Sequence, residues 1–327
     1  MERITLCISA FALAYLLDFL IGDPHRFPHP VRLLGAAVAM LEKLSRRLFA
    51  SPPGLKIAGA FLVVLAAGGS LVLTIVMLEG AYKLNQFAGW SLEIYLLFTV
   101  LAGGDLHRHV TRVGRDLQCG RLEQARSSVA LLVSRDTSRL NENGVSRAAL
   151  ESLFENSADG LVAPLFFAAV GGAPLAVFYK AVNTLDSMLG YRTKEYSSLG
   201  FFSAKLDDIL SFIPSRITAV LIILAAALNG AFRSGLRVLV DDRNKHDSPN
   251  SAWPEAAAAG ALGIKFGGPD FYRGQPRVQP LINSFGREPE MADIKRGLDL
   301  FRQTSFLAFI CFLVILYWLE TREVIIF

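Results

Sequence analysis

The sequence predicts an all-α, polytopic integral membrane protein with about 4–6 membrane-embedded helices, some broken or re-entrant, and helical loops on the cytoplasmic side. Three observations lead there. The 327 residues are 52% hydrophobic with a mean hydropathy of +0.40, a bilayer-solvated composition. Apolar runs of membrane length recur along the chain, and the basic residues gather between them. The chain is read as one membrane-embedded domain, residues 1–327, with large polar segments at 105–160 and 233–303.

A bilayer core takes roughly 20 apolar residues per helix. The candidate runs are Ile4–Ile21, Leu55–Leu78, Leu92–Gly104, Leu161–Val182, Ile217–Phe232 and Thr304–Leu319. The first, second and last have the length and purity of spans, and the first, lacking a small-x-small cleavage site, reads as a retained anchor. Leu92–Gly104 is short and carries Glu93 at its start. Gly171, Gly172 and Pro174 interrupt the fourth run, and the fifth follows Pro214 and Arg216. Such breaks imply irregular backbone at membrane depth, tolerated where protein or a wet cavity surrounds it.

Asp23–Gly54 carries five basic residues, Asp105–Gly160 eight arginines and Arg233–Gln303 eleven basic residues. The positive-inside rule places all three segments in the cytoplasm and the amino terminus outside. That works only if the fourth and fifth runs both cross or both fail to cross. Incomplete crossing is the reading adopted, which leaves Asn183–Arg216 cytoplasmic as well. A formal net charge of +4 is too balanced to imply nucleic acid as a partner. The three cysteines, two of them in apolar runs, offer neither a disulfide framework nor a metal spacing.

Ser146–Gly160 reads as an amphipathic helix with Leu150, Leu153, Phe154 and Leu161 on one side. Glu151, Glu155 and Asp159 recur at i, i+4 and i+8 nearly opposite, a stack that costs roughly 0.2–0.5 kcal/mol per like-charged pair. Mg²⁺ would turn that cost into a gain; on spacing alone an ordinary solvated face is the favoured reading. After the broken fourth run, Lys180, Asn183 and Ser187 share a face, with Asp186 beside them. Either they hold Mg²⁺ or a substrate amide, or they form a polar cap with Lys180 reaching the interface. Asp207 and Asp208 precede an apolar run, where they cap a helix or bind a metal or nucleotide. Asp18, at the end of the first run, could pair with Arg26 or Arg32.

In His246–Gly268 a Pro and Asn turn runs into an alanine-rich helix beginning near Pro254. Its amino terminus, with Ser248, Asn250 and Ser251, could bind an anion; Ala256–Ala261 would equally serve close helix packing. Gly267, Gly268 and Pro269 are read as a terminating turn. His25 and His29 lie in a proline-rich loop with no further ligands for zinc. The sequence contains no phosphate-loop, dinucleotide or nucleophile-elbow motif, so any ATP site is of another type.

Asp18–Arg32 (DFLIGDPHRFPHPVR), Ser134–Leu140 (SRDTSRL), Glu151–Ala168 (ESLFENSADGLVAPLFFA), Tyr179–Arg192 (YKAVNTLDSMLGYR), Ser203–Ile217 (SAKLDDILSFIPSRI) and Ser248–Gly263 (SPNSAWPEAAAAGALG) follow one another in order. Together they resemble the adenosylcobinamide-phosphate synthase family, the cobalamin biosynthesis proteins CbiB or CobD, from about Asp18 to Gly268. The resemblance implies a multi-pass inner-membrane enzyme with a cytoplasmic site. It would join adenosylcobyric acid to (R)-1-aminopropan-2-ol or its O-phosphate, using ATP and Mg²⁺, with the corrinoid as substrate and not as prosthetic group. Other membrane enzymes of the late pathway are implied partners beside the lipid bilayer.

Residue type then assigns candidates. Glu151, Glu155, Asn156, Asp159, Lys180, Asn183 and Asp186 are catalytic candidates. Arg135, Asp136, Arg192, Lys205, Arg216, Ser248 and Asn250 are candidates for the nucleotide and phosphates, and Glu155, Asp159, Asp186, Asp207 and Asp208 for the metal. Two other readings compete: a membrane sensor resembling the AmpE proteins, and a transporter, for which no inverted halves are detectable.

Overall fold

The computed structural model describes residues 2–22, 29–191, 193, 195–272 and 274–322. In chain order the elements are α1 (Glu2–Leu20), α2 (Pro30–Leu48), α3 (Pro52–Val63), a π segment (Val64–Gly68), α4 (Gly69–Leu84), α5 (Gln86–Val100), α6 (Gly103–Gln118), α7 (Leu122–Val129), α8 (Glu142–Ser157), a second π segment (Ala158–Val162), α9 (Ala163–Leu189), α10 (Phe201–Leu210), α11 (Phe212–Leu228), α12 (Phe232–Asp242), α13 (Ala252–Leu262), β1 (Phe266–Tyr272), β2 (Gln275–Ile282) and α14 (Met291–Thr321). They form two compact units: residues 1–102, 163–211 and 309–327, and residues 103–162 and 212–308.

Among the described residues four helices are long and apolar enough to cross a membrane, Pro52–Leu84, Gln86–Gln118, Glu142–Leu189 and Met291–Thr321, with α10 and α11 forming a broken fifth candidate. The polytopic reading holds, with two adjustments. The first run, expected to be a full span, is the shorter apolar helix Ile4–Leu20. The third, expected to be short, extends from Gln86 and places Glu93 inside α5.

The first unit is organised by local caps. Prolines occupy the first turns of α2 and α3, where no intrahelical donor is needed. Asn85 ends α4 in an extended conformation, and its side chain accepts the Ala88 N–H at 2.8 Å to start α5. One residue thus turns the chain, and Tyr82 of α4 donates to Glu93 of α5 at 2.7 Å.

α9 reverses on itself within this unit. Gly171 (φ −150°, ψ 30°) and Gly172 (φ 61°, ψ −162°) are non-helical, the second in a region open essentially only to glycine. Before the break, Pro164, Leu165 and Ala168 lie against Leu97, Val100 and Leu101. At the break, a Cβ on Gly172 would lie 3.9 Å from Glu93, so this leg is antiparallel to α5. After it, Pro174 shares a cavity with Ile75 and Leu78, whereas Ala181, Val182, Leu185 and Leu189 share a core with Ala58, Leu62, Ala66 and Ala67. The second leg is therefore antiparallel to the α3–α4 rod. Since that rod is itself antiparallel to α5, the two legs of α9 run in opposite directions.

In the second unit α13 packs against α8, α11 and α12. Ala252 and Pro254–Gly260 are buried, and a Cβ on Gly260 would come within 2.7 Å of the Ser234 carbonyl, so the small residues serve close packing. The all-α expectation omitted the antiparallel hairpin β1–β2. Gly267 and Gly268, read from sequence as a terminating turn, instead form an irregularity inside β1 with φ of +79° and +99°. The local twist is what a bulge introduces.

Candidate active site

In the second unit the acidic face of α8 is not solvated. Leu150, Leu153 and Phe154 are fully buried, but so is Glu151, at 4% exposure. Glu151 accepts from the Arg135 guanidinium at 2.5 Å and from the Gly267 backbone N–H at 2.6 Å. Arg135 also donates to Asp270 at 2.8 Å, as does Arg147. Two arginines and two carboxylates thus close a buried network that fastens β1 to α8. Burial alone would lower the Arg135 pKa; the facing carboxylates of Glu151 and Asp270 outweigh it and hold the guanidinium more firmly charged. Asp136, a nucleotide candidate from sequence, instead accepts the Gly274 N–H at 2.7 Å, while its own N–H donates to the Phe271 carbonyl. It pins the hairpin turn.

One turn beyond Glu151, Glu155 accepts from the Ser251 hydroxyl at 3.0 Å. Asn156 donates to the Ser152 carbonyl at 2.9 Å, on its own helix. Asp159 lies in the second π segment, so the α-helical i, i+4, i+8 stack of sequence does not extend to it.

Glu255 joins this cluster and was missed. It is buried among the small residues of α13. Burial pushes its pKa well above the carboxylate range, and the charges of Glu155 and Glu151 push the same way, with Arg135 only partly opposing them. Burial and the neighbouring carboxylates thus both disfavour its charged form. Its signal in sequence is that it is the single charge in Ala252–Leu262.

Beside Ser251, Arg216 is held without a carboxylate partner among the described residues. Its guanidinium lies 3.5 Å from the Phe212 ring centroid and 4.5 Å from that of Trp253, and donates to Asn250 Oδ1 at 2.9 Å and Ser215 Oγ at 3.0 Å. Arg243 stands 5.8 Å from the same indole. The structure brings together Arg216, Asn250 and Ser248, three of the seven residues named from sequence as nucleotide and phosphate candidates. Ser248 has a different role from the one expected, since its hydroxyl accepts the N–H groups of Asn250 and Ser251 at 3.2 and 3.4 Å and satisfies donors that a phosphate would have used.

The first unit holds a separate polar chain. Lys180 donates to Asn183 at 3.4 Å, Asn183 to Asp207 at 3.4 Å, and Ser211 links Asp207 to the Tyr179 hydroxyl at 3.5 and 3.2 Å. Asp207 and Asp208 lie inside α10 and not ahead of the following helix, which removes the capping role. Asp208 pairs with Lys205 at 3.6 Å. Asp186 sits in the last turn of α9, half-buried. Arg192, His25 and Arg26 lie outside the described residues.

Among the described residues no group of three or more His, Cys, Asp or Glu is arranged to hold a metal ion by itself. Two hard carboxylates, Glu155 and Glu255, nevertheless suit Mg²⁺, which keeps several waters and takes substrate phosphate oxygens. The charge of Glu155 raises the pKa of Glu255, and a divalent cation between them would relieve that repulsion.

A family model described as CobD/Cbib protein matches residues 11–301. The chain is 42% identical over 317 residues to the cobalamin biosynthesis protein CobD of Klebsiella pneumoniae, covering 95% of this chain and 98% of that one. To the cobalamin biosynthesis protein CbiB of Salmonella typhimurium it is 40% identical over 303 residues, covering 92% and 95%. No solved structure matches.

Proposed function

Because the chain belongs to the CobD/Cbib protein family, we propose that it is an adenosylcobinamide-phosphate synthase, an ATP-dependent ligase that forms an amide between adenosylcobyric acid and aminopropanol or its O-phosphate. The observation that carries this reading is the juxtaposition in one unit of a buried acid whose pKa is raised, Glu255, a second acid, Glu155, and a guanidinium without a carboxylate partner among the described residues, Arg216, joined through Ser251 and Asn250.

The chemistry needs charge neutralisation more than a protein nucleophile. A corrin propionate oxygen attacks the γ-phosphorus of ATP and ADP leaves, giving an acyl phosphate. The neutral amine then attacks the acyl carbon, inorganic phosphate leaves, and the proton shed by nitrogen goes with the phosphate. Arg216 and Arg243 face the transferring phosphoryl group, and a fixed guanidinium stabilises charge there as it develops. Glu155 and Glu255 would hold Mg²⁺, which supplies Lewis-acid neutralisation of the phosphate oxygens. A cation held there would favour the carboxylate form of Glu255.

The site is placed on the cytoplasmic face of the inner membrane. The reversal of α9 supports this for the first unit, because it returns Asn183–Ser211 towards α2, where Arg46 donates to the Glu195 carbonyl at 3.2 Å. That end is the basic one. The test is turnover of purified Glu155→Gln, for which the reading expects a loss of at least about 100-fold in amide product, within the range for removing a charge-stabilising group. Turnover equal to that of the unmutated protein would overturn the assignment of Glu155.

A further inference from the structure

Two helices, one in each unit, present apolar stripes outwards with basic residues along one edge. On α2, Val38 is fully buried and Leu34 and Leu41 are packed against the unit core. The adjacent face exposes Leu33, Met40, Leu44 and Leu48, Met40 at 69%. At 100° per residue these four lie within a sector of about 80°, with Arg32, Lys43 and Arg47 along one side. The acid of this helix, Glu42, is turned from the stripe and bonded to Arg46 at 2.9 Å. On α12 the exposed residues Phe232, Leu236 and Val240 recur every fourth position. Arg233 and Arg237 border them, and Arg237 stands 3.9 Å from Asp241. Leu239 and Asp242 face inwards, the latter paired with Lys245 at 2.6 Å.

Each helix is also tethered to the bilayer by sequence. α2 ends at Leu48 and the apolar rod Pro52–Leu84 starts at Pro52; α12 starts at Phe232, just after the apolar α11 ends at Leu228. Each helix therefore adjoins an apolar, membrane-candidate segment along the chain. Its apolar stripe reaches the acyl boundary, and the arginine and lysine edge sits at phosphate level.

We infer that α2 and α12 lie in the bilayer interface and bind anionic phospholipid headgroups through Arg32, Lys43 and Arg47 on α2 and Arg233 and Arg237 on α12. Water would leave both stripes solvated, and a second protein copy would leave Lys43, Arg47 and Arg233, which have no carboxylate partner among the described residues, without counter-charge. An anionic lipid surface satisfies stripe and edge together.

The experiment uses the full chain with its three cysteines replaced by serine, bimane-labelled in turn at Met40→Cys, Val240→Cys and, as a bilayer reference, Leu65→Cys in the α3–α4 rod. Each protein is placed singly in nanodiscs of equal phosphatidylcholine and phosphatidylglycerol, with the acyl chains of one or the other brominated. Positions 40 and 240 are expected to be quenched by bromolipid, and about fivefold more by brominated phosphatidylglycerol, the enrichment that one near-surface basic residue supplies. Arg32→Gln/Lys43→Gln/Arg47→Gln should abolish the excess at 40, and Arg233→Gln/Arg237→Gln that at 240, with Leu65→Cys quenching unchanged as proof of insertion. Absence of bromolipid quenching at 40 and 240 would overturn the interfacial placement. Equal quenching by both lipids would overturn the anionic preference.

Discussion

Arg135 and Glu151 meet at 2.5 Å, with side chains 7% and 5% exposed. The pair is a strut between the loop after α7, helix α8 and strand β1, since the same two residues also hold Asp270 and the Gly267 N–H. Breaking a buried ion pair from one side leaves an uncompensated charge, at about 3–5 kcal/mol. Arg135→Ala and Glu151→Gln should each lower the melting temperature in detergent, and Arg135→Met/Glu151→Met should recover part of the loss. Melting curves unchanged by the single replacements would refute the strut.

Glu255 sets a pH dependence of defined sign. Its pKa in the folded protein lies well above the ordinary 4.5. Below that value both folded and unfolded chains hold the proton; above it the unfolded chain ionises first. Stability therefore falls as pH rises from the ordinary value towards the raised one, by about 1.4 kcal/mol per unit. Glu255→Gln should melt higher than the parent at pH 7.5, the gap closing near pH 4.5, while ligase turnover drops. A gap independent of pH would show that Glu255 is already ionised.

Arg216→Ala should raise the KM for ATP by about 10- to 100-fold, the loss of one charge-assisted contact of about 1.5–3 kcal/mol, and Arg216→Lys should recover little because stacking needs the planar group. Titration of ATP against initial ADP release measures it. An unaltered KM would move the phosphate site elsewhere.

Gly172 occupies a conformation that other residues reach only at about 1–3 kcal/mol. Gly172→Ala should destabilise by that amount although no backbone atom blocks its Cβ. The reversal it permits predicts that cysteines at Ser51 and Glu195 react with an impermeant maleimide from the same face of sealed vesicles. Opposite-face labelling would show that α9 crosses.

The break in α9 was legible because Gly171, Gly172 and Pro174 punctuate an otherwise pure apolar run, and local signals suffice for local structure. Arg216, Asn250 and Ser248 were each candidates by residue type, but nothing in the sequence indicated that they meet. What periodicity could not give was pairing across distance. Arg135 and Asp270 are 135 residues apart, and their contact is what turns the acidic face of α8 from a solvated stripe into a buried network. β1 and β2 hid behind Pro269, Pro276 and Pro280, which weaken any strand pattern. Glu255 escaped because one acid in an alanine helix has no partner in sequence, only in space.

The most direct test of the central claim is turnover by the detergent-purified protein supplied with adenosylcobyric acid, ATP, Mg²⁺ and aminopropanol phosphate, following corrin product and ADP together. The account predicts one ADP per amide formed and neither without the corrinoid. Corrin left unconverted, under conditions where a family relative run in parallel forms product, would contradict it.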